Sequence, residues 1–458
     1  MGVPKPRVLL GERRIIGAFE QVNPNAAGID AGHPSHWVSV PEDRDPNPVK
    51  EFKTFTGDLF AMADWLVSCR IETVAIEATG VYWVPLVEVL EARGIRVRLV
   101  DSRSIGRRNK KTDVLDCQWI RQLHTFGLLE GAFRPDAEML PLRAYQRQRK
   151  MLIEYAADHI RHMQKALDQM NLKLHLVLSD IMGKTGTQII ESILKGERDP
   201  LVLATFRDPK CQKSEATIAK ALVGNYREEH VFALRQAYTL VQHYQTKIME
   251  CDEMTEKALK EFDRQAAPGK IPTTKKKNTG KRRKNQPHFD GQALLAQTVG
   301  VDLVAIHGFN LSTALTIVSE IGTDVDDFDN EGKFKSWLRL SVNDRITGGK
   351  KIRGRKRKVH PNRATQALRL AAQSLAKAQN WLGAFFRRIR ARGGWAVAVK
   401  ATAAKLAGIV YSMLKNKTEY MPPDVNYYEQ RYRSNLVKSL EKKAQTLGFT
   451  LVPTEVVH

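Results

Sequence analysis

The stretch AGIDAGHPSHWVSV, residues 27–40, decides the fold of the first part of the chain. AGIDA (27–31) and HWVSV (36–40) read as strands joined by a turn at Gly32–Pro34. Working outward, Gly57 to Cys69 has helical spacing through Leu59, Met62, Trp65 and Leu66, and TVAIE (73–77) is a short apolar strand. Trp83 to Ala92 is a helix with apolar Val84, Leu86, Val87 and Leu90. IRVRLVD (95–101) alternates as a strand, and Val114 to Leu129 is helical again. Strands followed by crossover helices define an α/β domain, placed at residues 27–135 behind a basic extension, 1–26.

After Pro141 the pattern is almost wholly helical. Leu234, Tyr238, Val241 and Ile248 occupy heptad a/d positions, and Arg147 to Leu172 is a second long amphipathic stretch. They read as two arms of a coiled coil, formed within the chain or between copies, with a plain helical bundle as the alternative. Gly183 to Asn225 reads as short helices broken at Gly196, Pro200 and Pro209, all within a helical region 136–265. Residues 270–288 (KIPTTKKKNTGKRRKNQPH) hold eight Lys/Arg and no acid, the composition of a flexible linker, set at 266–291. A last, mainly helical domain follows at 292–422, with a polar tail at 423–458. No repeat is visible.

The 458 residues include 73 Lys and Arg against 50 Asp and Glu, a net charge of +23. Such an excess repels itself in a compact fold unless a polyanion neutralises it, and cations bound to phosphates gain by counterion release. Nucleic acid is the natural partner, though a generic basic protein shares the composition. Cys69, Cys117, Cys211 and Cys251 form no Cys-x-x-Cys pair, so neither a zinc site nor a disulfide framework is expected. No run of about 18 apolar residues is evident, so no membrane span is expected, and the basic N-terminus lacks the features of a signal peptide. The expected location is the cytoplasm.

Four acids stand where they could meet. Asp30 ends the first strand and Glu77 a later one. Asp113 and Asp116, in KKTDVLD, lie three apart at a helix start, so their side chains leave one face. Functional groups in α/β sheets gather at the carboxyl ends of strands. Four converging carboxylates would repel unless divalent cations neutralise them. Mg2+ suits such a set, taking a few carboxylates plus phosphate oxygens, and two ions can stabilise both the attacking and the leaving oxygen at a phosphodiester. The same acids also suit ordinary surface positions, Asp113 being favoured at a helix N-terminus by the dipole. Lys110 and Lys111, just before, are phosphate contacts or solvated lysines.

In the order GID, IEATGVYW, KTDVLD, these residues resemble the DEDD transposases of insertion sequences guided by a bridge RNA, whose N-terminal domain is similar to the Holliday-junction resolvase RuvC and has a ribonuclease-H-like fold. The resemblance continues through SDIMGKTGTQIIESILKGERDP (179–200) and GNYREEHVFALRQAY (224–238), in the helical middle. It extends into WLRLSVNDRITGGKKIRGRKRK (337–358) and ALRLAAQSLAKAQNWLGAFFRRIRAR (367–392), in the C-terminal transposase domain. It implies an RNase-H-like domain, a helical coiled-coil middle and a mainly helical C-terminal domain. It also implies that Asp30, Glu77, Asp113 and Asp116 bind Mg2+, with Mn2+ as a substitute.

The resemblance further implies a hydroxyl nucleophile in the C-terminal domain. Relatives carry serine there, whereas this chain has Thr347 in Arg345-Ile346-Thr347-Gly348-Gly349, with Ser341 as the alternative. A threonine hydroxyl does the same chemistry, although its β-methyl crowds the attack; a turn-forming threonine is the other reading. Lys350, Lys351, Arg353, Arg355, Lys356, Arg357, Lys358 and Arg363 follow it. With Gly348, Gly349 and Gly354 admitting a close backbone approach, they would hold the scissile phosphate, unless they are simply solvated. Ile306-His307-Gly308-Phe309-Asn310 resembles a helix-hairpin-helix turn, with Asn310 at the second left-handed position.

The function expected is that of an insertion-sequence transposase, a nucleoid-associated enzyme of a bacterium or archaeon. It would exchange DNA strands through a covalent hydroxyl-linked intermediate, with a bridge RNA choosing the sequence. Paired strands imply a homodimer or homotetramer. A RuvC-like nuclease acting by hydrolysis, or a non-catalytic nucleic-acid-binding protein, are the rivals.

Overall fold

A computed structural model describes residues 20–78, 80–101, 105, 112–262, 285–341, 346–348, 350–351 and 362–452; the side chains of 346, 347, 350, 351, 425–429 and 431 are excepted. The chain divides into two compact units, residues 1–134 and 135–458.

Unit 1 is built on a five-stranded sheet. Its strands are β1 (Ala26–Ala31), β2 (Ser35–Ser39), β3 (Val49–Lys53), β4 (Thr73–Glu77) and β5 (Arg96–Val100), in the order β3-β2-β1-β4-β5. β1, β2 and β3 pair antiparallel, whereas β1, β4 and β5 pair parallel. Parallel neighbours need crossovers, supplied by α1 (Thr56–Ser68) and α2 (Trp83–Ala92), and α3 (Asp113–Thr125) follows β5. This is the RNase-H-like architecture expected.

Side-chain alternation sorts the two faces of the sheet. Ile29, Ala31, Val38, Ile76 and Leu99 are buried with Leu59, Met62 and Leu66 of α1 and Leu86, Val87 and Leu90 of α2. The other face packs on α3, where Ala75 and Val100 join Ile120 and Leu129. Gly28 belongs to this second face: a Cβ there would lie 2.3 Å from the Arg121 backbone nitrogen and 2.4 Å from the Cys117 carbonyl oxygen. Only glycine lets α3 lie this close to β1.

Three boundaries differ from expectation. β3 had no strand signal, because VKEFK is polar and lies at the edge of the sheet with no buried residue. α3 ends at Thr125 rather than Leu129, since Gly127 takes a positive φ of 67° and turns the chain. α4 (Met139–Gln169) begins before Pro141, which falls in its first turn, where the missing N–H costs nothing.

In unit 2, α4 pairs with α9 (Glu228–Glu261). The contacts Gln146–Thr255, Arg149–Asp252 and Tyr155–Tyr244 run in opposite senses along the two helices, so the arms are antiparallel and meet within the chain. Leu234, Tyr238, Val241 and Ile248 are all buried. Between the arms lie α5 (Leu174–Val177), α6 (Lys184–Lys195), α7 (Pro200–Ala204) and α8 (Glu215–Ala221), whose Ile189, Ile190, Ile193 and Ile218 share a core with Met163 and Leu167 of α4. The Arg149–Asp252 pair is almost wholly buried at 2.5 Å, and it also binds the Asn285 carbonyl and the His288 amide. The end of the basic stretch is therefore anchored; residues 263–284, most of the expected linker, lie outside the described residues.

The remaining elements are α10 (Gly291–Val299), α11 (Leu311–Ile321), α12 (Glu331–Trp337), the two-residue strands β6 (Ile346–Thr347) and β7 (Lys350–Lys351), α13 (Arg363–Ser374), α14 (Trp381–Asn416) and α15 (Val425–Thr446) in the polar tail. Leu368, Leu375, Leu382, Phe386 and Ile389 recur at helical spacing, which predicts core positions; the first four are buried, and Ile389 is half-buried against the core. The expectation that no apolar run reaches membrane length needs correcting: α14 is long and apolar enough by composition. Half of its apolar window is buried inside the protein, and Gly394 (φ 77°) breaks its course.

Candidate functional site

A cleft of about 390 Å3 opens at the carboxyl ends of β1 and β4, and its lining includes Asp30, Glu77, Asp113 and Asp116 together. The packing described above accounts for this. Asp30 lies two residues beyond Gly28 and Glu77 two beyond Ala75, so both fall on the face that carries α3. Asp113 and Asp116 form the first turn of α3, where the helix dipole favours acids. The Thr112 hydroxyl caps that turn, accepting the Leu115 amide at 3.3 Å. Asp113 is exposed, and the other three acids are half-buried.

The four acids share one cleft but not one point. Among the described residues, no three Asp, Glu, His or Cys side chains close on a common position tightly enough to hold an ion between them. The donor set is nonetheless all carboxylate, which fits a hard, water-carrying cation that uses one or two protein carboxylates and completes its shell with phosphate oxygens. A thiolate is not available: burial, and then the negative charge of Asp30, push the Cys117 thiol up to about 12. That thiol donates to the Val114 carbonyl at 3.1 Å.

The cleft has neighbours that motif reading missed. His33, Ser35 and Trp37 line it, and the His33 ring lies 5.6 Å from that of Tyr82. Strand register was the available signal, because Trp37 pairs directly with Asp30. At the opposite end of α3 and β4 from the cleft, His124 meets the Thr73 hydroxyl at 3.0 Å. Its pKa is lowered to about 4 by burial and by the charges of Arg98 and Arg96.

In unit 2, Thr347 is the last residue of β6 and pairs with Lys350 of β7, as Ile346 pairs with Lys351. Gly348 occupies the turn with φ 56° and open space where a Cβ would stand. Thr347 therefore ends a strand at a hairpin tip. Its side chain and those of Lys350 and Lys351 lie outside the described residues, as do Lys110, Lys111, Gly349, Arg353, Gly354, Arg355, Lys356, Arg357 and Lys358 altogether. Arg363 is exposed, the first residue of α13. The Ser341 carbonyl accepts from Lys400 Nζ at 2.9 Å.

The turn before α11 departs from the helix-hairpin-helix expectation. Gly308 is left-handed (φ 89°), but Asn310 is extended (φ −132°) and caps α11, its side chain accepting the Thr313 amide at 2.8 Å. Capping is the commoner use of asparagine, and it leaves no second left-handed residue in this turn.

Two family models match the chain. Residues 27–172, which include all four acids of the cleft, match the DEDD transposase model, described as a transposase. Residues 302–387, which include Thr347 and Arg363, match the model described as transposase, IS116/IS110/IS902 family. No curated protein matches the chain. An RNase-H-like domain with an acidic cleft, followed by a helical transposase domain, defines the class as a DNA-processing transposase. The chain belongs to the IS110 family of transposases.

Proposed function

We propose that this transposase exchanges DNA strands by two successive phosphoryl transfers, and that the cleft of Asp30, Glu77, Asp113 and Asp116 is the metal-binding part of its active centre. The observation that carries the reading is that all four acids line one cleft at the carboxyl ends of β1 and β4. Mg2+, or Mn2+ in its place, held by these carboxylates would neutralise charge on the phosphate oxygens. Thr347 is the proposed nucleophile. Its Oγ gives up its proton and attacks phosphorus, an Oγ–P bond forms, the bond from phosphorus to the leaving strand's oxygen breaks, and that oxygen takes up a proton. The hydroxyl of a second strand then attacks the same phosphorus and gives up its proton, and Thr347 Oγ leaves as a hydroxyl. No phosphodiester is lost to water in this sequence.

The cations Lys110, Lys111, Lys350, Lys351, Arg353, Arg355, Lys356, Arg357, Lys358 and Arg363, with the backbone at Gly348 and Gly349, are proposed to hold the DNA backbone. Choice of sequence is assigned to a bridge RNA, and pairing of strands to a homodimer or homotetramer. The functional division proposed is 27–135, 136–265, a linker at 266–291, and 292–422. The direct test is cleavage of DNA spanning an element junction in Mg2+, comparing the wild type with Asp30→Asn, Glu77→Gln and Asp113→Asn. Each variant is expected to lose on the order of 100-fold or more, the scale on which one preorganised electrostatic group is felt. Cleavage at wild-type rate in these variants would move the active centre elsewhere.

A further inference from the structure

Away from the acidic cleft, unit 2 holds a second concavity of about 310 Å3 where the side of α4 meets the start of α13, lined in part by Arg147, Lys150, Glu154 and Arg363. Its charges do not balance. Glu320 of α11, almost fully buried, accepts Arg147 through Nε at 2.9 Å and Nη2 at 2.8 Å, and Arg143 Nε at 3.1 Å. Burial alone would raise the pKa of Glu320. The hydrogen bond from Arg147 and the charges of Arg143, Arg147 and Arg363 outweigh it and hold the group below its ordinary value. One carboxylate thus serves two guanidiniums and fixes the Arg147 fork in place. Lys150 donates to Gln366 Oε1 at 2.8 Å and has Glu154 only at 3.8 Å. Arg363 is exposed at the positive end of a twelve-residue helix. Among the described residues the concavity is thus lined by three cations, Arg147, Lys150 and Arg363, against one carboxylate, Glu154, while Glu320 behind it is shared between Arg143 and Arg147.

The concavity stands at the foot of the segment that carries Thr347. That segment leaves at Ser341 and returns at Asn362, which caps α13 by accepting the Thr365 amide at 2.7 Å. The Thr365 hydroxyl donates to the Leu338 carbonyl at 2.7 Å, a buried bond that ties the two roots together.

We propose that this concavity binds a phosphodiester of the DNA strand on which Thr347 acts, with Arg147, Lys150 and Arg363 as its cationic contacts. The assignment rests on the strand-transfer reading above. A phosphate supplies the missing negative charge, and the Arg147 fork, already oriented by Glu320, loses little rotamer freedom on binding.

The test uses the full chain without Mg2+, so that no strand is cut. A labelled DNA duplex of about 30 base pairs, and an RNA duplex of the same sequence, are titrated between about 50 and 200 mM salt. The variants are Lys150→Gln/Arg363→Gln, Lys150→Arg/Arg363→Lys, and Lys257→Gln on the exposed side of α9. The double Gln variant is expected to reduce the slope of log affinity against log salt by about 0.9 on DNA, because the concavity holds one phosphate and each lost phosphate contact removes about 0.9. The charge-keeping pair and Lys257→Gln should stay within about half a unit of wild type, which separates charge from packing. A wild-type slope in the double Gln variant overturns the assignment while leaving the strand-transfer reading intact. A loss confined to RNA overturns it as a DNA site. Failure of the wild-type chain to bind either duplex overturns both.

Discussion

Replacing Gly28 by alanine would press one methyl group into the backbone of α3. The new Cβ would start 2.3 Å from the Arg121 nitrogen and 2.4 Å from the Cys117 oxygen, whereas real Cβ contacts stay above 3.0 Å. Neither atom is a side-chain end that can swing away, so the helix must retreat by roughly 1 Å to recover van der Waals separation. Overpacking of this kind costs about 1–3 kcal/mol, and contact with main chain on both sides puts Gly28→Ala at the upper end. Backbone propensity works the other way, because alanine in a strand is favoured over glycine by about 0.5–1 kcal/mol. A measured loss therefore reports the clash. A melt followed on unit 1 should fall by roughly 8 °C, at about 4 °C per kcal/mol for a domain between the 60–100 and 150–250 residue classes. The same retreat carries Asp113 and Asp116 away from Asp30, and misplacement by about 1 Å can cost on the order of 100-fold in rate. Unchanged melting together with unchanged cleavage would refute the claim that Gly28 sets the spacing of the acids.

Arg149→Met should destabilise unit 2 by about 3–5 kcal/mol in urea unfolding, because Asp252 is left buried without its partner. The double variant Arg149→Met/Asp252→Leu should recover most of that loss. His124 gives unit 1 a pH dependence: its folded-state pKa of about 4 lies below the ordinary 6.5. Above about pH 6.5 the group is neutral in both states and contributes no slope. As pH falls from 6.5 towards 4 the unfolded chain takes up a proton that folded His124 refuses, and stability drops by about 3 kcal/mol. His124→Gln, which can still reach Thr73, should flatten this part of the unfolding profile.

Much of the acidic cleft was legible because its determinants are local: strand ends carrying Asp30 and Glu77, and a helix start carrying Asp113 and Asp116. The arms α4 and α9 were legible for the same reason, α9 through its heptad positions and α4 through its amphipathic spacing. β3 was not, because an exposed edge strand has no apolar alternation to betray it. The place of Trp37 beside Asp30 depends on strand register, and the role of Gly28 on the approach of a helix far along the chain. The concavity at α13 was invisible to motif reading, since Glu320 lies 173 residues from Arg147 in sequence. Asn310 misled because asparagine suits both a left-handed turn and a helix cap, and only the backbone distinguishes the two.

Trapping the protein–DNA link tests the covalent strand transfer proposed for Thr347. The purified chain, with any small RNA that co-purifies, is incubated with Mg2+ and labelled DNA spanning the element's junction, then denatured and resolved on a gel. A denaturant-resistant protein–DNA band is expected in the wild type and in Thr347→Ser, and is lost in Thr347→Ala and in Asp113→Asn. Cleavage with no such band, indifferent to Thr347→Ala, would contradict covalent strand transfer and identify a hydrolytic nuclease instead.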